Sequence, residues 1–422
     1  MRSSLATVLC LAFVVAAPSA QPKASKTLDI YVIDTEGGKA TLFITPSGET
    51  VLIDAGNPGQ RDHDRIMAVL TETGVNKIDH LISTHYHVDH IGGMQELAKS
   101  IPIADYVDHG PSVEPQEQVK GFQAAYAELY AKAKHTIVKP GDKLPIAGVD
   151  WRIVTAAGKA IKTPLPGGGK PNPACAQFKP RENTRDPENG QSVGSVVTFG
   201  KFRAVDLGDL LWNNEFDLMC PSNPIGAIDL YLTSHHGTDP SGSEALVHGL
   251  APRVAITQNG TRKGATVQTS QILNSSPNLE DIWQLHWSYN GGIEHNPAGL
   301  FIANVDEPTV IAAVLTAPPP AGRGGPPPST GSGQPTAPPS TAPPASAPAP
   351  AAGQAPAASP TANPPADPAA APPRQGGPGG GRGGPGVPHT GAAFLIKVSA
   401  QADGTFTVTN TRNGFSRTYK AR

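Results

Sequence analysis

Alternating apolar and polar positions mark the start of the patterned chain. Leu28 to Asp34, Ala40 to Thr45 and Thr50 to Asp54 read as three strands, with a turn at Pro46-Ser-Gly48 between the last two. The period then lengthens. Ile66, Val69 and Leu70 share one side of a helix over Asp62 to Thr73, which Gly74 stops. Asp79 to Thr84 reads as a short buried strand, and Ile91-Gly-Gly93 opens another helix. Beyond residue 94 the pattern predicts a helix over Glu117 to Lys134 and strands over His135 to Lys139 and Trp151 to Thr155. Gly158 to Gly190 is polar and rich in Pro, Gly and Asn, a long loop of the kind that borders active sites.

The second half repeats this logic. Val193 to Phe199 and Phe202 to Leu207 form a hairpin across Gly200-Lys201. Strands follow at Asp229 to Thr233, Arg253 to Thr257, Asp281 to His286 and Thr309 to Leu315, with a helix near Val267 to Leu273. Two successive strand-and-helix halves predict an α/β fold, a four-layer αββα sandwich. The domain these elements build is expected over residues 27–316.

From Ala317 to His389 the chain is mostly Pro, Ala, Gly and Ser, too poor in apolar side chains to offset the entropy of ordering. Residues 317–390 therefore read as a disordered insertion, because strand pattern returns afterwards. Ala393 to Ser399, Ala402-Asp-Gly404 and Thr405 to Thr409 make a hairpin within 391–422. An isolated hairpin is marginal in water, so this one is expected to complete the main sheet.

Composition adds a compartment. Arg2, the apolar run Leu5 to Ala17 and the small residues Ala17-Pro-Ser-Ala20 read as a signal peptide over residues 1–20. The apolar run is too short to span a bilayer, so an exported protein is expected, periplasmic or extracellular. Cys175 and Cys220 remain after that leader; they either pair or stay as two thiols. A formal net charge of -2 gives no electrostatic case for a nucleic-acid or membrane surface.

The candidate chemistry lies in Ser83-Thr-His-Tyr-His-Val-Asp-His90, directly after a buried strand. Four ligand types, His85, His87, Asp89 and His90, fall within six residues. His85 and His87 can face one cation while Asp89 and His90 face a second.

His-x-His-x-Asp-His after an apolar strand resembles the signature of the metallo-β-lactamase superfamily. Val51-Leu-Ile-Asp-Ala-Gly56, Asp79 to Thr84, Leu207-Gly-Asp209 and Thr233-Ser-His-His-Gly237 are similar to ComEC-type competence hydrolase domains and secreted phosphorylcholine esterase-like members. The resemblance implies that Asp209 bridges two divalent metals. It also implies that one of His235 and His236 binds the second metal while its neighbour contacts substrate. Asp54 is then expected to orient the ligand loop or a ligand histidine. Many members carry a third histidine for the first metal, but the corresponding Glu188-Asn-Gly-Gln-Ser192 has none. That leaves His85, His87, Asp209 and solvent there, with Asn189 as an added donor, so zinc is expected with manganese as the alternative. His109, His286 and His295 are assigned structural roles. The implied activity is hydrolysis of a small-molecule phosphoester or phosphodiester, with Asp89 orienting the nucleophile. The alternatives are lactam or lactone hydrolysis and a non-catalytic surface-binding module.

Overall fold

The computed structural model describes residues 25–114, 116–182, 186–305 and 393–422. The leader read at 1–20, the insertion at 317–390 and the strand at Thr309 to Leu315 lie outside these described residues.

Among the described residues two nine-stranded sheets form the centre. The first takes its middle from Thr27–Val32, Thr41–Ile44, Thr50–Ile53 and Ile78–Ile82, continuing through Ile103–Asp108 to Lys134–Ile137. Thr50–Ile53 and Ile78–Ile82 pair in parallel, Val51 opposite His80. All four residues of Thr50–Ile53 are buried, as a strand covered on both faces requires. The second sheet runs from Ile302–Asn304 through Asp281–His286, Val254–Thr257, Leu230–Leu232, Phe202–Asp206 and Gly194–Phe199 to Asp150–Ala156.

Alternation along the strands sorts the apolar side chains into three layers. Ile30, Phe43, Val51 and Ile82 of the first sheet meet Trp151, Val197, Phe202, Leu230 and Ile256 of the second. On the first sheet's outer face, Ile66 and Leu70 of helix Gln60–Glu72 pack with Met94, Leu97 and Tyr126. On the second sheet's outer face lie Leu218, Leu246, Leu250, Ile272 and Leu273. Helix, sheet, sheet, helix is therefore the layer order, an α/β sandwich of the αββα type.

The C-terminal segment joins the first sheet. Ile396–Gln401 pairs antiparallel with Thr27–Val32, Val398 opposite Ile30. Phe406–Asn410 follows, and a third strand, Ser416–Tyr419, pairs with it beyond the expected hairpin. Tyr419 locks that strand across the sandwich: its hydroxyl donates to Asp281 and accepts from Trp283 Nε1 at 3.0 Å. The long loop is not bare. Lys170–Pro171 pairs with Ser222–Asn223, and Cys175 forms a disulfide with Cys220.

Candidate metal centre

The ligand run leaves the first sheet at the end of Ile78–Ile82, and Val88–Ile91 forms one helical turn carrying Asp89 and His90. Gly93 sits hard against the preceding strand's exit; a Cβ there would lie 2.2 Å from the Ala55 carbonyl oxygen. Asp54 ends the neighbouring strand in the left-handed region, φ 59, which disfavours any residue with a side chain. Its carboxylate offsets that cost. It accepts from Thr84 N and Thr84 Oγ1, both 2.8 Å, and from His90 Nδ1 at 2.7 Å.

These hydrogen bonds decide which imidazole nitrogens carry lone pairs. A carboxylate only accepts, so His90 Nδ1 holds a proton and Nε2 is the nitrogen left to face a cation. His236 Nδ1 likewise donates to the Gln258 carbonyl, 3.1 Å away. The two Nε2 atoms face each other at 3.2 Å. The same arrangement recurs beside them. Thr84 Oγ1 spends its proton on Asp54 and so accepts from His85 Nδ1 at 3.1 Å, while His87 Nε2 points to Glu114 at 3.4 Å. His85 Nε2 and His87 Nδ1 then face each other at 3.1 Å. Facing lone pairs repel unless a cation or proton lies between them.

Asp209 joins the two pairs. The turn before it needs glycine: Gly208 has φ 57, and a Cβ there would stand 2.8 Å from Thr84 Cβ. Asp209 N donates to Ser192 Oγ at 3.1 Å. Asp209 Oδ2 lies 3.3 Å from His90 Nε2 and 3.4 Å from His236 Nε2. Its Oδ1 is buried and has no hydrogen-bond partner. Asp89 Oδ2 is 3.2 Å from His236 Nε2 and 3.5 Å from His90 Nε2, and Lys263 Nζ donates to it. Thus His85, His90 and Asp209 form one group that could hold a cation, and Asp89, His90 and His236 another. Orphaned carboxylate oxygen, bare nitrogens and mixed N/O donors all fit divalent metal.

The charges agree with that chemistry. Burial penalises charge on Asp89 and Asp209, but Lys263 and His90 beside the former, and His90 and His236 beside the latter, hold both carboxyls well below their usual range. Burial, reinforced by His90 and His87, lowers His85 well below its usual value. His235 is likewise lowered by burial, to about 4. His90 goes the other way, to about 10, because the carboxylates of Asp209, Asp89 and Asp54 outweigh its burial. Without a cation its Nε2 therefore also carries a proton, which a bound metal would displace.

The two adjacent histidines separate by geometry. Both sit in left-handed backbone, φ 51 and 55. His236 turns its Nε2 to Asp89 and His90. His235 stands further back, its Nε2 3.6 Å from Asp209 Oδ2 and its Nδ1 3.2 Å from Ser241 Oγ. Asn189 is buried with its Oδ1 unpaired, and no hydrogen bond ties it to the imidazoles among the described residues. His109 and His286 pair instead with Glu188 and Asp34.

Sequence reasoning missed the supports. Glu188, fully buried, accepts from Tyr86 N at 3.1 Å, His109 Nε2 at 2.8 Å, Ser112 Oγ at 3.0 Å and Val113 N at 2.8 Å. Glu114 and Asp186 lie with His87. Lys39 and Asp206, both buried, pair across the two halves. No local pattern marks any of these residues, since each partner is remote in the chain.

Two mixed sheets sandwiched by helices, with a His/Asp cluster at the strand ends, make a hydrolase-type fold with groups that could hold a metal. Residues 34–171 match the family model of the Metallo-beta-lactamase superfamily. It is 21% identical over 269 residues to Competence protein ComA of Neisseria gonorrhoeae, covering 64% of this chain and 32% of that protein. Against ComE operon protein 3 of Bacillus subtilis it is 27% identical over 195 residues, 46% of this chain and 22% of the relative. A protein named Ribonuclease Z from Methanopyrus kandleri is 27% identical over 180 residues, 40% of this chain and 60% of that one. The chain therefore spans a third or less of the length of the two competence proteins. Among the described residues no helix is long and apolar enough to cross a membrane.

Proposed function

We propose that this chain is an exported, metal-dependent phosphodiesterase that works with two divalent cations, zinc or manganese. The two pairs of facing imidazole nitrogens, at 3.1 and 3.2 Å, with Asp209 grouped with His85 and His90, carry this reading. His85, His87 and Asp209 would hold one cation, and Asp89, His90, His236 and Asp209 the other. Such a pair polarises a substrate oxygen and brings the pKa of water close to neutrality.

The protein's own groups do the rest. Asp54 and Gln258 keep protons on the outer nitrogens of His90 and His236, so that the inner ones stay available. Asp89 is ionised and orients the attacking water as a hydrogen-bond acceptor. His235 is neutral near pH 7. With Ser241 donating to its Nδ1, its Nε2–H is free to donate to the charge that develops on a substrate oxygen. The preference for a phosphodiester draws on the family resemblance and on the match to a protein named as a ribonuclease. The Cys175–Cys220 disulfide supports export, since such bonds persist in oxidising compartments.

The test is metal analysis of the purified chain, followed by turnover of bis-aryl phosphodiester, phosphomonoester, lactam and lactone substrates. About two metal equivalents are expected, with diester turnover abolished by chelator. Asp89→Asn should cost on the order of a hundredfold in turnover and about one metal equivalent, with the fold retained. Turnover of lactam or lactone without diester would replace the substrate assignment, and absence of bound metal would leave a binding module.

A further inference from the structure

Lys263 has no role in the scheme above, yet its ammonium reaches the centre. Its Nζ bonds Asp89 Oδ2 at 2.5 Å, the oxygen that also stands 3.2 Å from His236 Nε2. Lys263 arrives from the loop after the strand Val254–Thr257, remote from every ligand motif in sequence. The loop holds it firmly: Gly260 N donates to the Lys263 carbonyl at 2.9 Å, and its Cβ packs over Gly37. Next to it, Arg262 lies over the Tyr289 ring at 4.4 Å. The Lys263 side chain is 40% exposed, so its stem spans from solvent to the half-buried carboxylate.

A divalent cation at Asp89, His90 and His236 competes for the same Asp89 oxygen. Two like charges cannot share it cheaply, and the dication, with two imidazoles to hold it, wins. Lys263 is then a solvent-reaching ammonium a few Å from the reacting position, with its former partner engaged elsewhere. A flexible point charge of that kind suits an anionic oxygen.

We propose that Lys263 is the residue that selects an anionic substrate, by pairing with a non-bridging oxygen of the phosphodiester. This rests on the two-cation hydrolase reading but makes a separate claim about substrate charge. The experiment uses the full chain as wild type, Lys263→Gln and Lys263→Arg, with metal content measured in each. Binding of inorganic phosphate is read by calorimetry. Turnover is compared on an anionic bis-aryl phosphodiester and a neutral aryl phosphotriester. Lys263→Gln should weaken phosphate binding and raise KM for the diester by roughly tenfold, with little change on the triester and unchanged metal content. Lys263→Arg should recover most of the loss. Equal losses on both substrates, unchanged phosphate affinity in Lys263→Gln, or no phosphate binding by the wild type would each overturn the proposal. A metal-loaded wild type that binds phosphate through Lys263 yet hydrolyses neither ester would instead count against the hydrolase reading alone.

Discussion

Glu188→Gln probes how the ligand loop is held. The Glu188 carboxylate is fully buried and accepts four hydrogen bonds, two from backbone N–H groups and two from His109 and Ser112. One of these comes from Tyr86, between His85 and His87. Burial alone would raise the Glu188 pKa, but His109 and the backbone donors outweigh it and lower it below the usual value. An amide of the same shape offers one acceptor oxygen. Its NH2 turns toward donors, and about two of them lose their partner at roughly 1–3 kcal/mol each. Glu188→Gln should therefore lose on the order of 4 kcal/mol in guanidinium unfolding, with an unchanged slope. A lowered pKa stabilises the fold above the unfolded value and loses that contribution as pH falls through the folded one. The variant should thus lack this part of the wild type's acid destabilisation. Metal titration should show the His85–His87 side weakened tenfold or more and the His90–His236 side little changed. A stability change under about 1 kcal/mol with normal binding on both sides would refute the role given to Glu188.

Replacing Cys175 and Cys220 by serine removes a link across 45 residues, and loop-closure entropy predicts a loss of about 4 kcal/mol, readable by chemical denaturation with and without reductant. Burial raises the Glu215 pKa from 4.5 to about 7, although Gly242 and Ser243 donate to it. The folded state then binds the extra proton in that window, so stability should fall between pH 4.5 and 7 by roughly 3 kcal/mol, a slope that Glu215→Gln abolishes. Excising residues 317–390 and rejoining the flanks with a short flexible linker should preserve folding and turnover. Truncation before residue 393 should unfold the chain, because it strips the strand paired with Thr27–Val32. Circular dichroism and diester assays on both variants separate the two cases.

Local signals made much of this molecule legible in the sequence. Period-two alternation marks Thr27–Val32, the apolar run after the Pro46-Ser-Gly48 turn marks Thr50–Ile53, and the helical spacing of Ile66, Val69 and Leu70 marks Gln60–Glu72 within two residues of its ends. The close packing of His85, His87, Asp89 and His90 in one run exposed the candidate site, because those ligands share a single turn of chain. The last strand, Ser416–Tyr419, was not legible. Of its four residues Tyr419 alone is buried, and what holds it is the cross-sandwich contact of Tyr419 with Asp281 and Trp283.

Only the tertiary structure could separate His235 from His236, since neighbours in a chain are identical to any motif. Both rings turn Nδ1 to a support, His236 to the Gln258 carbonyl and His235 to the Ser241 hydroxyl. The distinction lies in Nε2, which faces Asp89 and His90 in His236 but stands 3.6 Å from Asp209 in His235. Glu188, Lys39 and Lys263 are of the same kind. Each acts through a partner 100 or more residues away, at Tyr86, Asp206 and Asp89. Backbone periodicity and ligand spacing are written locally and survive in a bare sequence. The proton on a particular nitrogen, and the charge that stands beside it, are set by groups that only folding brings together.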